Sequence, residues 1–360
     1  LETKGLPQLV GVASIIVILA GLKAAEAIVI PMLLALFIAI ISTPFLRLMI
    51  SKGVPSSIAI VIVLLVLLTV GGLLATVVTQ SINTFLERMP EYQSKLQNTL
   101  IGILPLLENM HLPIDRQTLL ESINPSSVMG VFGQALTMLK SILTSTFLVL
   151  FIVIFILMEE ATFSNKLKIA LPKANETIDT ATNFIKRVNK YILIKSTISL
   201  ITGILITLWL LYLDVDFPVL WGLIAILMNF IPNIGSLIAA IPAVLLAFVQ
   251  LGIGDAAMVA LGYLIINVTL GNLIEPRLMG KGLGLSPLVV FLSLITWGWL
   301  FGIVGMFLSI PLTMIVKIAL EQNPGTLWIA ILLGNEPPSQ KDLPKQSAKR
   351  LEEKSKINTL

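Results

Sequence analysis

The sequence predicts an all-α polytopic membrane protein of six to eight transmembrane helices, with two broken or re-entrant helical hairpins in its last third. Three observations carry that prediction. Hydrophobic residues make up 56% of the 360 and charged residues only 12%, where a soluble domain has about 25% charged. Apolar runs of about 17–25 residues, enough to cross ~30 Å of hydrocarbon, recur along the chain. In the last third such runs are interrupted by Pro-Asn-x-Gly and by spaced glycines instead of by polar loops.

The first span is predicted at about 7–22, as a retained helix: "GLKAAEAIV" makes a poor cleavage site and another span follows. The second, about 26–46, carries Pro31, and the two share an N-terminal unit, 1–80, with a third at about 57–79. Residues 81–137 turn polar, with four prolines and the single histidine, His111. Within them Phe85, Met89, Tyr92, Leu96 and Leu100 recur at helical spacing, so this insert contains an amphipathic helix. A span in 138–159 ends at Glu159 and Glu160. The connector 160–190 follows, with Lys166, Lys168, Lys173, Lys186, Arg187 and Lys190. The C-terminal unit, 191–322, opens with a span at about 192–213 that ends at Asp214 and Asp216. The tail 323–360 is expected to be cytoplasmic and disordered, its part 335–360 having too little apolar content to fold alone.

Lysine and arginine excess marks cytoplasmic loops. Loops 47–56, 160–190 and 275–284 are therefore expected inside, 81–137 and 214–216 outside, and both termini in the cytoplasm. The net charge of +4 sits mainly in connecting segments, which favours a topogenic role over nucleic-acid binding. Without cysteine there is no disulfide, thiol nucleophile or thiolate site, and one histidine excludes a His-rich metal site. No cofactor motif is present: "GKGLG" at 280–284 lacks the G-x-x-x-x-G-K-[ST] frame. An enzyme is disfavoured, since no Ser/His/Asp set, H-E-x-x-H or paired acids occur.

The segment "FPVLWGLIAILMNFIPNIGSLIAAIPAVLLAFVQLGIG" has a short arm, a break at 231–235 and a second arm. A second hairpin repeats the plan: an arm from Ser286 to Thr296, a Gly-rich break at 298–305, then an arm ending near Lys317. Broken backbone at membrane depth is tolerated only where protein buries it or water lines it. Hairpins entering from opposite sides are a transporter layout, with half-helix ends meeting a solute near the midplane. Asn229, Asn233 and Gly235 lie at the first break, where they either cap the half-helices or bind solute, and Pro232 marks the bend. Asn272 is a solute-contact candidate, Asn267 a weaker one. Glu275 and Arg277 flank Pro276 either as an interfacial helix stop or as a gate. Ser293, Thr296 and Trp297 line the second hairpin. Trp297 and Trp299 point to different faces; the pair suits an interfacial aromatic belt, with at least one of them a packing or gate residue. Gly298, Gly302 and Gly305 are read as hinge or close-packing positions. Lys195 is expected to snorkel to the interface. No span has a carboxylate near its centre, which weakens a proton relay and leaves Glu275, Asp255 and Glu26 as candidates for cation/proton antiport.

At these residues the chain resembles the autoinducer-2 exporter family of bacterial inner-membrane proteins. The blocks "NFIPNIGSLIAAIPAVLLA" and "GNLIEPRLMGKGLGLSPLVVFLSLITWGWLFGIVGMFLSIPLTMIVKIALEQ" carry the resemblance most strongly. "LERMPEYQ" and "YILIKSTISLITG" extend it over about 7–325. The resemblance implies export of a small polar quorum-sensing signal, a possible link to biofilm formation, and a homo-oligomer, with a pentamer as the expected form. It also leaves open a cation/proton antiporter. A membrane-anchored interaction protein working through 81–137 is the third reading. The expected partners are the signal and the lipid bilayer, with no nucleic acid.

Overall fold

The computed structural model describes residues 6–109, 130, 133, 146–170, 175–232, 234–279, 284–321 and 325–335. Every regular element among them is helical. Among the described residues five helices, or stretches of helix, are long and apolar enough to cross a membrane, and shorter apolar helices accompany them. The chain is a multi-pass membrane protein.

Helices α1 (Leu6–Ala24) and α2 (Glu26–Ser51) are separated by Ala25 alone. Two antiparallel helices need a connection of about 2–5 residues. The Ala25 N–H still bonds the Gly21 carbonyl and Val29 N–H the Ala25 carbonyl, so the join is a bend with its ladder largely kept. Helix α3 (Ser56–Asn109) runs unbroken for 54 residues, about 80 Å. The third span and the amphipathic part of the insert are therefore one helix. Its lipid stretch exposes Val61, Leu65, Leu68 and Leu73, each more than half accessible. Beyond it Phe85, Tyr92 and Leu96 are buried against the core, as the helical spacing predicted. Leu100 and the remainder of the insert to 137 lie outside the described side chains.

Helix α4 (Thr146–Ala170) packs on α2 and α3 through small and branched residues, Ala35, Ala39, Ala59, Val63 and Val153. Helix α5 (Asn175–Tyr212) begins inside the basic connector and continues through the fifth span. The turn after it holds Asp214 and Phe217 in the left-handed region and leads to α6 (Pro218–Met228), with proline in its first turn. Helices α5 and α6 cross backbone to backbone: a methyl on Gly203 would stand 2.7 Å from the Gly222 carbonyl oxygen, and one on Gly222 equally close to that of Gly203. After the break, α7 (Gly235–Leu251) returns and packs on α8 (Ile253–Asn267). Arm α6 has 11 residues, about 16 Å, short of a full crossing.

Helix α8 widens into a π-helical stretch, Val268–Ile274, before α9 (Glu275–Met279). Proline has no N–H, and its ring collides with the carbonyl four residues back. A turn widened just ahead of Pro276, with Glu275 N–H bonded to the Leu270 carbonyl, accommodates both faults. The second hairpin is α10 (Pro287–Phe307) and α11 (Ser309–Glu321). Ser286 caps α10, its Oγ accepting from Val289 N–H. The helix breaks at Phe301 and Gly302. Gly302, at φ 60° and ψ −142°, occupies a conformation essentially closed to residues with a side chain. A short helix α12 (Leu327–Leu332) follows, with Ala330 buried and the Leu333 carbonyl accepting from Ser286 N–H. The opening of the predicted tail is therefore structured; 336–360 lie outside the described residues.

Candidate functional site

Helix α5 carries polar residues along its buried face. Lys195, Ser199 and Thr202 sit at i, i+4 and i+7 and are all buried. Across from them the widened turn brings Glu275 inward. The Lys195 ammonium donates to both carboxylate oxygens, each at 2.8 Å, with the side chains only 7% and 15% exposed. Lys195 is buried within the helix bundle. The expected snorkelling does not occur because a buried carboxylate is the nearer partner. One turn further along, Asn229 donates from Nδ2 to Ser199 Oγ at 3.0 Å, and both groups are buried. The Thr202 hydroxyl is turned back on the Ile198 carbonyl at 2.9 Å. Asn189 Oδ1 and Ser196 Oγ on the same helix are buried and have no hydrogen-bond partner among the described residues. Such atoms invite a solute group or water.

Glycine shapes both hairpin tips. A methyl at Gly235 would strike the Met228 carbonyl and one at Gly305 that of Trp297, so each tip folds back onto the end of its own incoming arm. Gly298 meets Met306 in the same fold-back, a methyl there lying 2.8 Å from Cγ. The three glycines thus divide their work: Gly302 makes the bend, while Gly298 and Gly305 make room for it. Trp297 donates from Nε1 to Thr313 Oγ1 at 2.9 Å, tying the two arms together, and stacks on Phe301. Ser309, at the start of the return arm, is fully buried and its Oγ has no partner among the described residues. Phe230 from the first tip and Phe307 from the second meet with ring centroids 4.3 Å apart, beside Phe37 of α2.

Other residues singled out in the sequence lie elsewhere. Ser293 is buried but donates to the Val290 carbonyl of its own helix at 2.8 Å. Thr296 does likewise to Leu292 on an exposed face. Asn267 closes on the Tyr263 carbonyl at 2.8 Å. Asn272 and Arg277 are exposed, and neither has a hydrogen bond or ion pair among the described residues. Glu275 therefore pairs across to α5 and not with its neighbour Arg277. Trp299 is 62% exposed, as an aromatic facing lipid would be. Pro232 stands in the break, its carbonyl accepting from Ile234 N–H. Asn233 and the 280–283 turn fall outside the described residues. Glu26 pairs with Lys23 at 2.7 Å, and that ammonium also reaches the Leu300 carbonyl at the second tip.

A second polar cluster, not anticipated from the sequence, closes the opposite end of the bundle. Asp216 accepts from Arg88 Nη1 at 3.0 Å and from the Tyr92 hydroxyl at 2.7 Å. Gln250 bridges it, accepting from Asp216 N–H and donating to the Asp214 carbonyl. Trp221 Nε1 donates to the Asp216 carbonyl. The only sequence signal was Arg88 and Tyr92 one turn apart in "LERMPEYQ", facing an acidic turn. No group of three or more His, Asp or Glu side chains converges as metal ligands among the described residues.

Residues 12–325 match the profile of AI-2E family transporters. The AI-2 transport protein TqsA of Escherichia coli K12 is 40% identical over 331 residues, covering 92% of this chain and 96% of that one. A putative transport protein of Haemophilus influenzae is 39% identical over 91% of this chain and 96% of its own length. The putative transport protein YhhT of Escherichia coli K12 is 35% identical over 94% and 97%.

Proposed function

Because the chain belongs to the AI-2E transporter family, we propose that it exports a small polar signalling molecule of the autoinducer-2 type across the bacterial inner membrane, and so acts in quorum sensing. The observation that carries the reading is the polar run on α5, Lys195 to Glu275 and Ser199 to Asn229, buried in the helix bundle with the second pair beside the first break. Charged and amide groups buried in this way are costly and mark solute or ion pathways. The two broken tips, meeting through Phe230 and Phe307, supply the paired half-helices between which transporters bind their solutes. In the proposed arrangement 81–137 face outward, and the loops 47–56, 160–190 and 275–284 and the C-terminus face the cytoplasm. Subunits assemble as a homo-oligomer, a pentamer being the expected form.

A second reading, cation/proton antiport, is favoured by one observation: Glu275 is a carboxylate buried against a lysine inside the bundle. Flux from proteoliposomes separates the two. Loaded with autoinducer-2, vesicles holding the protein are expected to release it faster than empty ones, and Asn229→Leu, which removes the amide from Ser199, to abolish the release. Release equal to that of empty vesicles, together with Na⁺-driven proton movement, would replace the first reading by the second.

A further inference from the structure

Three phenylalanines from three separate elements close on one another where the hairpin tips meet. Phe37 comes from the middle of α2, Phe230 from the first break and Phe307 from the last residue of α10, beyond the Gly302 bend. Their centroids are 5.4 Å apart for Phe37 and Phe230, 4.7 Å for Phe37 and Phe307, and 4.3 Å for Phe230 and Phe307. The first two contacts are edge-on at 82° and 74°, the arrangement the aromatic quadrupole favours. Each tip ring is close in sequence to a buried polar group. Phe230 follows Asn229, which is bonded to Ser199. Phe307 lies two residues before Ser309, whose buried hydroxyl is unpaired among the described residues. The aromatic contact thus stands close in sequence to a buried polar group on each tip.

We propose that Phe37, Phe230 and Phe307 form the barrier to solute in this protein, an apolar constriction that a hydroxylated molecule passes only when the tips separate. This rests on the transporter reading and adds to it the residues that keep the path shut. A polyol in the contact would lose its water without gaining partners, and apolar constrictions shut pores by the same exclusion of water. Because two of the three rings stand on the broken tips, a shift of either hairpin opens the contact. Phe37 is the fixed wall. The rings sit within a wider apolar cluster that includes Tyr191, Ile192, Leu300 and Leu308; what marks them is that Phe230 and Phe307 bring the two hairpin tips into contact.

The test uses the full chain in phosphatidylethanolamine/phosphatidylglycerol vesicles, with erythritol, a small neutral tetrol, as the probe and light scattering as the readout of swelling. Phe230→Ala and Phe307→Ala are expected to raise erythritol permeability roughly tenfold or more over wild-type vesicles, as opening a dewetted constriction implies. Phe230→Leu, which keeps an apolar plug, stays near wild type. Phe155→Ala removes a ring from an edge-on pair on the exposed face of α4 and leaves the vesicles tight. If an alanine variant does not purify as a monodisperse protein, Phe→Val at the same position replaces it, with a leak of roughly threefold expected. Variants that stay as tight as wild type while remaining folded overturn the proposal. Autoinducer-2 release is measured in the same vesicles. A leak to erythritol without wild-type release of the signal would refute the substrate and leave the barrier standing. Signal release with tight variants would do the reverse.

Discussion

Removing one partner of the Lys195–Glu275 pair should cost far more than removing both. The ammonium sits 2.8 Å from each carboxylate oxygen, and little of either side chain is exposed. Breaking a pair so buried typically costs about 3–5 kcal/mol, because the remaining charge keeps its desolvation penalty and loses its partner. Glu275 lies towards the end of its span, Ile253–Met279, so the lower figure, about 3 kcal/mol, applies here. At about 2–4 °C per kcal/mol for a chain of this order of size, Lys195→Met should lower the melting temperature in detergent by roughly 6–12 °C. Replacing both, Lys195→Met with Glu275→Leu, removes the two charges together and should recover most of that loss, since apolar residues of similar volume often substitute for a buried pair without penalty. The assay is intrinsic-fluorescence melting of the four proteins of the cycle, whose non-additivity isolates the pair. Single variants that shift by less than about a degree, the size of ordinary surface substitutions, would refute the reasoning. So would a double variant that melts at the sum of the two losses.

Sidedness is checked with single cysteines placed at Ser94 and Ser347 in this cysteine-free chain. An impermeant thiol reagent on intact spheroplasts should label the first and spare the second, and the reverse pattern would invert the topology. Gly302→Ala forces a side chain into φ 60°, ψ −142° and should cost about 1–3 kcal/mol of stability and most of the transport rate. Gly271→Ala, where nothing lies within 4 Å of the added methyl, should be neutral, and equal melting temperatures for the two would remove Gly302 as the bend.

The hairpins were legible because their signals are local. Pro-Asn-x-Gly and three spaced glycines interrupt apolar runs whatever packs around them, and the stripe Phe85, Tyr92, Leu96 follows helical period. Their division of labour was not legible: only backbone angles single out Gly302 from Gly298 and Gly305. Lys195 and Glu275 are 80 residues apart. Their meeting depends on a widened turn that Pro276 favours but does not announce. The boundaries drawn at residues 80 and 190 reflected changes of polarity, and α3 and α5 run through both because a helix can leave lipid without ending. The apolar run "LWIAILLG" is too short to stand out from the polar tail around it by composition, yet it packs as α12.

Where α5 crosses α6, Gly203 and Gly222 each lie close to the other's carbonyl, and the Ile226 and Thr207 side chains pack over them. Side chains can change rotamer to let helices slide, but a carbonyl seated on a glycine has no such slack. The two helices therefore travel as one piece, taking Lys195, Ser199 and the first tip with them. Glu275, held only through side-chain atoms, is free to part from Lys195 without disturbing that joint. Any division of the molecule into a stationary frame and a travelling part must run around this crossing and not through it.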